Sequence, residues 1–95
     1  MTMLHLAVSL HTKPGREDEA RRLLDALVEP SRADDGCLGY DLHTDDDDSA
    51  HFFLYEAWRD VSAWERHMAT EHLRRFSEAS GDVVDRLKIY RLTRV

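Results

Sequence analysis

The sequence predicts an α+β fold in the order β-α-β-β-α-α-β, and three observations carry that prediction. "LHLAVSLHT" places apolar residues at every second position. "EARRLLDALV" places them three and four apart. "AHFFLYEAW" is apolar on both of its alternating faces. Period two is a strand with one face buried, and a period of three to four is a helix with one apolar stripe. A strand apolar on both faces has to be covered on both.

The elements follow in order. From Leu4 to Thr12, Leu4, Leu6, Val8 and Leu10 share one face, and His5, Ala7, Ser9 and His11 share the other. "KPG" breaks this strand. Glu17, Asp18 and Glu19 then stand where a helix N-terminus favours negative charge. Ala20, Leu23, Leu24, Leu27 and Val28 form the stripe of a helix whose regular pattern Pro30 ends, with one further turn through Ala33. Asp34, Asp35 and Gly36 read as a turn. Cys37 to Thr44 alternates, with Leu38, Tyr40 and Leu42 on one side. The polar turn "DDDDS" joins it to the strand Ala50 to Trp58, giving a hairpin.

Asp60 suits an N-cap, and Val61, Trp64 and Met68 form the expected inward face of the next helix. Thr70 caps a third helix with Leu73, Phe76 and Ser80 inward, and Gly81 ends it. Asp85 to Val95 is the last strand. These helices are enough to cover one face of a four-stranded sheet. The simplest cover for the other face is a second copy of the chain, so a homodimer is expected.

Composition narrows the function. The 95 residues, 42% hydrophobic and 34% charged, read as a single domain over 1–95. A net charge of −6 with no basic cluster argues against nucleic acid as a partner. "MTMLHLAVSL" lacks a basic start and a long apolar core. No apolar run approaches the ~20 residues of a membrane span. A cytoplasmic location with no membrane partner is the expectation. Cys37 is the sole cysteine and has no metal-type spacing.

The richest stretch is "YEAWRDVSAWERHMATEH", Tyr55 to His72, with both tryptophans and two of the six histidines. His67 is titratable near neutrality and suits a general base, or it is a helix-end histidine bonded to a carbonyl. Glu56 faces an apolar layer and needs a partner, either His67 or an arginine such as Arg91. Trp64 and Trp58 can stack on a flat substrate or serve as core. Tyr40 and His72 can hydrogen-bond a substrate oxygen. His43, Asp45 to Asp48 and His51 are metal-compatible types without a metal-loop motif, so no metal is expected. No phosphate loop or dinucleotide fingerprint occurs.

"GCLGYDLH" followed by "FLYEAWRDVSAWERHMATEHLRRF" resembles the antibiotic biosynthesis monooxygenase family: a glycine-cysteine turn, an aromatic strand, Tyr-Glu-x-Trp, then His-x-x-Thr-x-His. "HTKPG" and "LVEPSRADDGC" fit as well, so the resemblance spans nearly the whole chain. It implies a ferredoxin-like monomer with a four-stranded antiparallel sheet, paired into a dimeric α+β barrel. It also implies a pocket between sheet and helices. The activity it implies is a quinol monooxygenase-like oxidation of a small electron-rich aromatic by O2 with no cofactor. His67 falls on the family's recurrent histidine, with Glu56 as its orienting or charge-balancing partner. Some family oxygenases rely on an asparagine, and this chain has none. Haem-degrading relatives carry an axial histidine where this chain has Phe76 and Ser77, so haem is not expected. Two other readings stay open: a dimeric module that only binds a small molecule, and a metabolite isomerase using His67 and Glu56 as an acid/base pair.

Overall fold

The structure is a computed structural model that describes residues 3–95. It has strands β1 (Leu4–Thr12), β2 (Cys37–Asp45), β3 (Asp48–Trp58) and β4 (Val84–Leu92), and helices α1 (Glu17–Arg32), α2 (Val61–Met68) and α3 (Glu71–Ser80). The strands form one sheet in the order β2-β3-β1-β4, with every neighbouring pair antiparallel. The element order is the one read from the sequence, and the sheet is the ferredoxin-like arrangement that the resemblance implied.

The helices cover one face only. Leu4, Leu6, Val8 and Leu10 of β1 are buried there with Phe52, Leu54 and Trp58 of β3 and Ala20, Leu24, Leu27 and Val28 of α1. Each such aliphatic or aromatic side chain gains about 1.5–3 kcal/mol from leaving water. On the opposite face, Ala7 lies between Tyr55 and Tyr90, and His5 lies between Ala57 and Leu92. Tyr55, Tyr90 and Leu92 remain between 43% and 50% exposed in the single chain.

The further turn expected after Pro30 is present: α1 runs to Arg32, and Ala33 N–H reaches the Glu29 carbonyl at 3.2 Å. Two local expectations change. The inward residues of α2 are Ala63 and His67, while Val61 and Met68 are 40% and 45% exposed. Trp64, the third residue expected inward, is partly buried against the core, while the fully buried face of that helix carries a small residue and a partnered polar one. Leu38 is also exposed, because a bulge between Cys37 and Gly39 shifts the β2–β3 register. Asp60 does cap α2, accepting from Ala63 N–H at 2.8 Å. Thr70 caps α3. No helix among the described residues is long and apolar enough to cross a membrane.

Candidate functional site

The turn after α1 sets the site. Cys37 N–H closes it onto the Asp34 carbonyl at 3.0 Å, with Gly36 at φ +83° in the position that requires a positive φ. The two aspartates diverge. Asp35 points outward to Arg59 and Arg66, 3.3 Å from each. Asp34 points inward: its Oδ2 lies 2.8 Å from His67 Nδ1 and 2.8 Å from His72 Nε2. An ionised carboxylate only accepts, so both rings donate N–H to it.

On one continuous helix, residues five apart would point about 140° away from each other. His67 and His72 converge because α2 and α3 break between them. Thr70 holds the break: its N–H and its hydroxyl both donate to the His67 carbonyl, at 3.1 and 2.7 Å. The two imidazole centroids end 5.9 Å apart.

His67 is buried, 4.4 Å from the Trp58 ring and 5.6 Å from Tyr40. Burial lowers its pKa below the ordinary value, against the opposing pull of Asp34, and His72 adds to the lowering. Burial raises the Tyr40 hydroxyl, so it stays a neutral donor. Glu56 is pushed up by burial too, partly offset by the Trp58 indole N–H that donates to its Oε1 at 2.9 Å.

His67, Tyr40, Glu56 and Trp64 line one cavity of about 590 Å³, walled otherwise mainly by apolar side chains such as Leu10, Leu27, Phe76, Leu87 and Ile89, with polar residues of α3 such as Arg74, Ser77 and Glu78 at one side. That volume lies within the ~300–1,000 Å³ of small-molecule sites. Trp58 and His72 do not line it; Trp58 is sealed in the core, and His72 faces Asp34.

The expected His67–Glu56 pair is replaced by two separate pairs, His67 with Asp34 and Glu56 with Trp58. Arg91 does not take Glu56; its guanidinium lies 5.3 Å from the Trp64 ring centroid. In the hairpin, His51 bonds Asp45 and Ser9, and His43 packs edge-on to Tyr55. Sequence reasoning missed Asp34, which read as turn chemistry. Its only signal was a second aspartate in a turn that needs one.

The chain matches the family model described as antibiotic biosynthesis monooxygenase over residues 3–79. It is similar to PA3566 from Pseudomonas aeruginosa at 45% identity, with a TM-score of 0.97 over 100% of this chain and 96% of that one. Rv0793 from Mycobacterium tuberculosis is 32% identical over 74 residues, 78% of this chain and 72% of its own length. Its structure superimposes with a TM-score of 0.91 over 99% of this chain and 96% of that one. The uncharacterised Synechocystis protein sll1783 is 30% identical over 90 residues, which is 92% of this chain. The chain spans 61% of that relative's length.

Proposed function

Because the chain belongs to the antibiotic biosynthesis monooxygenase family, we propose that it is a cofactor-independent oxygenase of a flat, electron-rich phenol, hydroquinone or anthrone. The observation that carries this is the Asp34–His67 pair in the wall of an apolar cavity. With Nδ1–H held by Asp34, Nε2 keeps the lone pair of a ring that burial holds neutral. That makes His67 the general base, as the sequence suggested, with Asp34 rather than Glu56 as its orienting partner.

In the proposed reaction Nε2 takes the phenolic proton, and the phenolate passes one electron to O2. The phenoxyl radical and superoxide join at a ring carbon, and the imidazolium returns its proton to the peroxide. Loss of that carbon's C–H proton with cleavage of the O–O bond leaves a carbonyl and releases hydroxide, which takes the second proton. The sum is phenol plus O2 to quinone plus water, with all four electrons drawn from the substrate. In this reading Tyr40 and Glu56, which line the cavity, bond substrate oxygens, and Trp64 is a stacking wall. Exclusion of water from the anion is the task of the apolar lining.

A homodimer belongs to the same reading. The helix-free sheet face carries Phe53, Tyr55, Tyr90 and Leu92, an apolar patch that a second copy would cover. The isomerase alternative loses support, since the acid/base pair it requires is divided between two other partners.

The test is oxygen consumption with a simple hydroquinone or anthrone. His67→Ala should lower turnover by the ~10²–10⁴-fold of a lost general base. Full activity in that variant, or product formed without oxygen, overturns the proposal.

A further inference from the structure

We propose that Asp34, His67 and His72 form a binding site for one divalent transition-metal ion of the zinc class, and that the ion switches the oxygenase site off. The second half rests on the reading of His67 as a base; the first half does not.

Two imidazoles and a carboxylate are the donor set that zinc, cobalt and nickel ions prefer. The three donor atoms lie within 4.8 Å of one another, and Asp34 Oδ2 is 2.8 Å from both nitrogens. With bonds of ~2.0–2.2 Å, neighbouring ligands on one ion sit about 3.0–3.5 Å apart. The ion therefore enters by replacing the two protons that Asp34 now shares, with each 2.8 Å distance from Asp34 widening by a few tenths of an ångström.

The three ligands come from three segments: the α1–β2 turn, α2 and the first turn of α3. His67 is fixed by its burial against Trp58. The Asp34 and His72 side chains are 17% and 19% exposed and give the ion its route in. Asp35 does not compete, being held by Arg59 and Arg66. Three protein ligands leave the fourth position of a tetrahedral ion to water. Among the described residues this is the sole group of three such donors within that distance of one another.

The switch follows from the tautomer. The unmetallated ring carries its proton on Nδ1, where Asp34 accepts it, and leaves Nε2 as an acceptor. A neutral imidazole bound to an ion through Nδ1 must carry its proton on Nε2. The base becomes a donor, and the phenolic proton has nowhere to go.

The experiment titrates chelator-treated protein with Co²⁺, reading visible d–d bands, and with Zn²⁺, reading histidine ring nitrogens by NMR. One ion per chain is expected, with shifts at His67 and His72. At least tenfold weaker binding is expected in His72→Gln, a partly exposed position. Substoichiometric binding, unchanged affinity in folded His72→Gln, or shifts confined to His11, His43 or His51 overturns the site. If His72→Gln does not fold, the wild-type NMR shifts decide. Zn²⁺ should abolish oxygen consumption and a chelator restore it; turnover that survives saturation overturns the switch. A chain that oxidises no phenol yet binds the ion would sink the oxygenase reading and leave the metal site standing.

Discussion

Gly36→Ala tests how closely α2 must approach the turn that carries Asp34. A Cβ on Gly36 would stand 2.5 Å from the Cβ of fully buried Ala63, and the backbone is at φ +83°. The left-handed conformation costs an alanine about 1–2 kcal/mol. Forcing a methyl group into that contact adds about 1–3 kcal/mol of overpacking. Together these give about 2–5 kcal/mol, a melting point lower by roughly 10–30 °C for a chain this size. Gly15 supplies the control: its φ is +81°, and a Cβ there would meet nothing within 4 Å. Gly15→Ala should therefore lose only the conformational part, about 1–2 kcal/mol. Adding Ala63→Gly to Gly36→Ala makes room again. It should recover part of the loss, although a helical glycine alone costs about 1 kcal/mol. Because Ala63 lies one helical turn before His67, a displaced α2 also stretches the 2.8 Å bond to Asp34, so turnover should fall further than stability. Thermal melts of the three variants, with oxygen uptake alongside, decide it. Equal losses in Gly36→Ala and Gly15→Ala would refute the close-approach argument.

Two further outcomes are expected. Glu56 has a raised pKa, so its folded-state contribution is full below the ordinary carboxyl value and is lost as pH rises through the raised one. Glu56→Gln keeps an acceptor for the Trp58 indole and carries no charge. It should melt higher than the parent at neutral pH, and the gap should close below about pH 4; a lower melting point at neutral pH contradicts this. Sedimentation equilibrium at micromolar concentration should give twice the 11.1 kDa of one chain, and Tyr90→Glu should halve that mass. A wild-type protein that stays monomeric would remove the reason given for the exposed sheet face.

Period and turn chemistry made the strands, the helices and both N-caps legible, because each depends on neighbours within a few residues. The open sheet face was legible in "AHFFLYEAW" for the same reason. The Glu56–Trp58 bond was within reach as well: residues two apart share a strand face, and an indole N–H is the nearest donor to a carboxylate there. The inner face of α2 was not legible. His67 can be buried because Asp34, 33 residues earlier, accepts its proton, and no local pattern connects the two. The convergence of His67 and His72 depends on the angle Thr70 imposes, which a residue spacing does not reveal.

The place of β1 between β3 and β4 bears on how the chain acquires this structure. During synthesis β1 emerges first, yet its partner on one side, Val84–Leu92, emerges last. Until then β1 has an open edge, a template for pairing with other chains. The hairpin of β2 and β3 and the β1–β3 pairing can form beforehand, but the cavity lacks Leu87 and Ile89 until β4 arrives. These are long-range pairings, which slow folding because the loop must close before the contacts reward it. The family match stops at residue 79, so the strand that completes both sheet and cavity lies outside the matched stretch. A nascent chain halted before Val84 would hold its histidines and its aspartate with one wall of the cavity still unbuilt.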